Sequence, residues 1–208
     1  MSLLSFNDED KFFDVKNNML KRRNLLLYGE LNDSDYRDLL EDMLMLNGIS
    51  AIEPINLFLC SHGGRVDAGM AIYDLIQWIP APVYTIGMGN CASMAAILLM
   101  SGQKRFIFPH CWVMLHQTSG WIWGDKDTTV SRATMMDRQE QQMLNLQAFH
   151  TGKTAEDIAK DTIKEKWFDA EEALAYGIVD EIIRLERRAA SVLSQDGATR
   201  LKVVPAIN

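Results

Sequence analysis

Short apolar runs that alternate with helix-patterned segments constrain this chain more than any other feature. Residues 25–28, 55–60, 83–87, 106–108, 112–115 and 178–183 read as strands, and several are almost unbroken in apolar side chains. Such runs fit strands buried on both faces of a parallel sheet. Between them, 34–46, 66–79 and 94–100 carry helical spacing, the second stopping before Pro80 and Pro82. Strand, helix, strand in that order predicts right-handed βαβ crossovers and an α/β fold. A longer helical stretch over 126–150 ends at Gly152 and sets Met135, Met136, Met143, Leu144 and Leu146 among Gln, Asp and Arg. It suits an amphipathic helix on its own sheet or one packed against a second subunit. Thr154-Ala-Glu-Asp157 and Asp169-Ala-Glu-Glu172 read as capped helix starts, with Gly177 closing the second.

The 208 residues, 48% hydrophobic and 24% charged, suit one compact domain. No linker divides it and no repeat recurs. We read the domain over 1–186 and a mobile, mostly small or polar tail over 187–208. The net charge of −7 argues against a nucleic-acid partner. An odd set of three cysteines, Cys60, Cys91 and Cys111, fits free thiols in a reducing compartment. Asp8, Glu9 and Asp10 stand where a secretory signal would be basic. The longest apolar stretch is about half of the roughly 20 residues that a membrane span needs. A cytoplasmic protein without membrane contact is expected.

Three segments at predicted strand ends carry chemistry. Ser61-His62-Gly63-Gly64 places two glycines between a strand and a helix, where backbone N–H groups can meet a ligand; a plain tight turn would use the same residues. Gly87-Met-Gly-Asn-Cys-Ala-Ser93-Met-Ala-Ala96 turns from strand to helix at Ser93. A serine there serves most often as a helix cap, but the small neighbours leave room for a substrate carbonyl, and the next N–H can hold an oxyanion. Val113-Met-Leu-His116-Gln117 ends a strand on histidine. A hydroxyl needs a base before it attacks, so Ser93 and His116 make sense as a pair. His62, His110 and His150 have ordinary structural explanations. No metal-ligand spacing, dinucleotide fingerprint or phosphate loop is present, and no cofactor is implied. Cys91, in apolar surroundings, reads as a core thiol.

The order Ser-x-Gly-Gly, Ala-Ser-Met, Val-Met-Leu-His-Gln, His-Thr-Gly and Glu-Glu-Ala-x-x-Tyr-Gly-Ile-Val-Asp resembles the Clp protease proteolytic subunit from about Phe13 to Ile183. The resemblance implies a crotonase/ClpP-like domain of repeated βαβ units with a long protruding helix. It implies Ser93 as nucleophile, His116 as general base and an oxyanion hole from the N–H groups of Gly64 and Met94. Glu165 falls where the family carries the aspartate of its triad. Gly63, Gln117, Thr118, Ser119 and Gly120 fall where the family binds substrate as an added strand. Two stacked heptameric rings, polypeptide substrates and an AAA+ unfoldase ring complete what the resemblance implies, with the helix over 126–150 between the rings.

The chain departs from the family at several of these places. Glu165 is one methylene longer than aspartate, His62 replaces a proline, and Thr118-Ser-Gly-Trp121 with Ile122 and Trp123 replaces Pro-Leu-Gly-Gly. Lys164 replaces an arginine tied to contacts between rings. These departures keep a rival open, a catalytically silent subunit of a mixed ring. A crotonase-type acyl-CoA enzyme, which shares the paired N–H device, needs no Ser–His pair.

Overall fold

The computed structural model describes residues 9–120 and 123–184, with side chains from residue 15 onward except 33–35. Its described elements, in order, are α1 (Glu9–Lys21), β1 (Asn24–Leu31), α2 (Asp33–Ile49), β2 (Ile55–Gly64), α3 (Val66–Trp78), β3 (Val83–Ala92) and α4 (Met94–Met100). Then follow β4 (Lys104–Ile107), β5 (Trp112–Leu115), α5 (Lys126–Thr151), α6 (Ala155–Asp161), β6 (Lys166–Phe168), α7 (Ala170–Tyr176) and β7 (Glu181–Ile182). The alternation read from the sequence holds, and the fold is α/β as expected.

The described strands form one sheet in the order β1-β2-β3-β4-β7, all paired in parallel. β3 is longer than its apolar run and changes partner along its length. Tyr84 to Gly87 pair with β4, whereas Asn90, Cys91 and Ala92 pair with β5. The bend between them lies at Gly89, whose φ of 66° is open to glycine at little cost. β5 then pairs antiparallel with β6.

One face of β1 to β3 is covered by the chain itself. Leu25, Leu27, Leu57, Leu59 and Val83 join residues of α2, α3 and α4 in a continuous core. α4 is buried along its whole length. The other face is less covered: Leu26 and Tyr28 are 45% and 71% exposed. The apolar runs therefore look two-sided in sequence while burying alternate residues, as β2 also does. Ile49, Ile52, Trp78 and Phe149 are likewise exposed. None of the described helices is long and apolar enough to cross a membrane.

Three local readings change. α1 was not anticipated, nor was the short β6. The run over 178–183 is a strand only at Glu181–Ile182, because Gly177 closes α7 in a left-handed conformation and the chain then drops Ile178 and Val179 into the core from a loop. Both predicted caps are present: Thr154 accepts from Asp157 N, and Asp169 forms a full capping box with Glu172. α5 buries nothing before Met143, so its first turns stand away from the core. The tail over 187–208 lies outside the described residues.

A polar knot ties the end of α5 to the sheet. Arg105 Nη1 donates to the carbonyls of His150 and Gly177, and its guanidinium pairs with Asp180. Burial, with Arg105 nearby, lowers the His150 imidazole to about 4, and its Nε2 meets Tyr73 Oη at 2.8 Å. An unfolded histidine titrates near 6.5, so between those values the unfolded chain holds more protons. Stability is then complete above about pH 6.5 and declines as pH falls toward 4. We expect a lower urea midpoint at pH 5 than at pH 7, and a smaller difference between the two in His150→Gln.

Candidate active site

The fork in β3 sets the geometry. Ala92 pairs with Met114, and Ser93 N donates to Met114 O at 2.9 Å, which carries the β3–β5 register one residue further. Ser93 and His116 therefore emerge at the same end of adjacent strands. Their side chains meet, with Ser93 Oγ 2.8 Å from His116 Nε2. Ser93 has φ 56° and ψ −125°, a conformation that few non-glycine residues adopt. Such strain persists only where the surroundings fix it and often marks a functional position. Here the Met114 bond on one side and the buried α4 on the other hold it.

The glycine pair packs directly against this turn. A Cβ at Gly63 would stand 2.7 Å from Ala92 O and 2.9 Å from both Met94 N and Ser93 Cβ. Gly63 also has φ 92°, and its N–H donates to the buried Ser61 Oγ at 3.0 Å. Gly64 has φ 142° and lies as tightly against Leu31. Neither site has room for a side chain. Gly64 and Met94 both line the cleft beside Ser93, and Met94, first residue of α4, has an N–H beyond the reach of intrahelical acceptors. His62 faces away from Ser61 and is bonded to Asn90 at 2.7 Å.

Glu165 stands in register but is turned elsewhere. Leu115 pairs with Lys166 across β5 and β6, and that register, continued one step past both strand ends, would set His116 opposite Glu165. Opposed residues of antiparallel strands share a face. Yet Glu165 Oε2 accepts from Trp167 Nε1 at 3.2 Å, and no hydrogen bond joins it to His116. Asp161 is engaged by Lys166 at 2.8 Å and by Tyr176 Oη, with its carboxyl held low by those bonds. Asp169 is occupied as a cap.

After Gln117 the chain runs along α5. Thr118 N donates to Glu140 Oε2 at 2.5 Å, and Gly120 lies near Met136. Thr118 and Ser119 line the cleft with Val66, Ile97, Met143 and Gln147. Trp121 and Ile122 lie outside the described residues. Cys91 is fully buried, donates to Leu59 O at 3.2 Å, and its thiol is pushed well up by Cys111 and by burial, so it is no nucleophile. No cluster of metal-ligating side chains occurs among the described residues. Glu140, Trp167 and Gln147 were not singled out in the sequence. Only Gln147 left a signal there, an amide amid the apolar residues that end α5.

A serine hydroxyl bonded to an imidazole, beside a tight glycine pair at the carboxyl edge of a parallel sheet, is chemically suited to nucleophilic attack assisted by a base. Comparison with known proteins gives the family. The model of the Clp protease family matches residues 7–186. The ATP-dependent Clp protease proteolytic subunit 2 of Corynebacterium glutamicum is 38% identical over 174 residues, 83% of this chain and 87% of that protein. The subunit 2 of Nocardia farcinica is 35% identical over 86% of this chain and 89% of its own length. The subunit 1 of Frankia casuarinae is 37% identical over 85% and 84%. The chain belongs to the Clp protease family.

The glycine packing is open to direct test. Gly63→Ala should lower stability by about 2 kcal/mol or more, through the left-handed φ and the clash with Ala92 and Met94. Gly48→Ala, in open space on α2, should be neutral or slightly stabilising. Urea unfolding of the two variants measures both effects.

Proposed function

We propose that this chain is an active serine endopeptidase subunit that cleaves unfolded polypeptides. The observation that carries the reading is the 2.8 Å bond between Ser93 Oγ and His116 Nε2 at a strained strand–helix turn. In this mechanism His116 takes the Ser93 proton as Oγ attacks the scissile carbonyl. The N–H groups of Gly64 and Met94 receive the oxyanion, and His116 then protonates the leaving amine. Glu165 is the orienting carboxylate: its register opposite His116 favours that role, and substrate binding would draw it from Trp167 to His116 Nδ1. Gly63, Gln117, Thr118, Ser119 and Gly120 would pair with the substrate main chain as an added strand, with Glu140 bracing Thr118 from behind.

The same reading places the chain in a homo-oligomer of two stacked heptameric rings, in the cytoplasm, fed by an AAA+ ring. The exposed Leu26 and Tyr28, side by side on one face of β1, favour assembly, since contiguous apolar surface commonly marks an interface. The names of the relatives, proteolytic subunits of an ATP-dependent protease, point the same way. A second reading, a catalytically silent subunit of a mixed ring, draws on the bond between Glu165 and Trp167.

Hydrolysis of short fluorogenic peptides by the purified chain separates these readings. Activity is expected in the pure homo-oligomer and should be lost in Ser93→Ala. Glu165→Gln should lower kcat by roughly 10²-fold or more, as the loss of an orienting charge does in such triads. An intact assembly without activity would favour the silent subunit, and activity that survives Ser93→Ala would overturn both.

A further inference from the structure

The cleft beside Ser93 is walled by Val66, Ile97, Leu115 and Met143, and one carboxamide lies among them, that of Gln147. Gln147 is 4% exposed. Its Oε1 is buried with no hydrogen-bond partner, and its amide nitrogen bonds to no described residue. Buried polar atoms are nearly always paired, because an amide that has left water without a partner destabilises the fold. Gln147 lies one helical turn beyond Met143, on the buried stripe of α5. A methionine at this position would fill similar volume without that cost. The amide therefore has no packing justification, and its residue borders the space next to the nucleophile while Oε1 itself is covered. Apart from His116, no titratable side chain among the described residues lines that space.

We propose that Gln147 determines specificity in this cleft. It would select substrates in which the residue on the acyl side of the scissile bond carries an uncharged carboxamide, glutamine before asparagine. The proposal rests on the peptidase reading and adds the substrate class to it. A turn of the Gln147 amide toward the cleft would let a substrate carboxamide donate to Oε1 and accept from Nε2, while Val66, Ile97 and Met143 cover its methylenes. An aliphatic side chain would fill the cleft and leave the Gln147 amide unpaired, which is how sites built to hydrogen-bond a substrate reject analogues that lack the group. A lysine or glutamate would bury a charge without a partner.

Two readouts test the proposal on the purified, assembled chain and on Gln147→Met. The first is kcat/KM for a pair of coumarin peptides that differ only in glutamine or methionine before the scissile bond. The second is binding of the matching fluorescein-labelled product peptides by anisotropy, which needs no turnover. We expect the glutamine peptide to be favoured about tenfold or more in both, and the preference to reverse in Gln147→Met. That variant removes an unpaired buried oxygen, so its melting temperature should not fall. Cleavage with methionine favoured, or with a ratio that Gln147→Met leaves unchanged, would overturn the proposal while the peptidase reading stands. Preferential binding of the glutamine peptide without cleavage would uphold the pocket and sink the peptidase reading. Binding of neither peptide would overturn the proposal whatever the activity.

Discussion

The site depends on β3 changing its partner. Up to Gly87 the strand pairs with β4 inside an ordinary parallel sheet, and from Asn90 it pairs with β5. The left-handed turn at Gly89 makes that fork. Without it, Ser93 would leave the sheet beside β4, away from β5 and the His116 that follows it. With it, Ser93 N bonds Met114 O and the hydroxyl meets His116. Backbone pairing rather than any side-chain contact brings Ser93 and His116 together.

Close packing holds the arrangement in place. Gly63 touches Ala92, Ser93 and Met94, and Gly69 on α3 gives Met94 its room: a Cβ there would stand 2.2 Å from Met94 Cγ. The positive φ of Ser93 survives because α4 behind it is buried from Met94 to Met100. Strain at one residue is thus supported by the core of the molecule, as over-determined functional turns require.

Much of this was legible in the sequence. Apolar runs located β1 to β5, and a serine and a histidine that each follow such a run pointed to the pair now seen 2.8 Å apart. Other features were hidden for identifiable reasons. β3 passes its apolar run into Met88, Gly89 and Asn90, which read as a turn because a bend and a break have the same composition. Ile178 and Val179 read as strand because burial in a loop leaves the same apolar signature. The register that sets Glu165 opposite His116 depends on an antiparallel β5–β6 pair far apart in sequence, and β6 is only three residues long. The competition of Trp167 for that carboxylate is a tertiary fact with no pattern to announce it.

The central claim is that the β3–β5 register makes Ser93 a nucleophile. The most direct measurement is reaction of the purified chain with a fluorophosphonate probe, located by mass spectrometry, with Ser93→Ala and His116→Ala beside it. The account predicts an adduct on Ser93 and on no other serine, absent from Ser93→Ala and strongly reduced in His116→Ala. Failure to label Ser93 in a fully assembled sample, or equal labelling in His116→Ala, would contradict it.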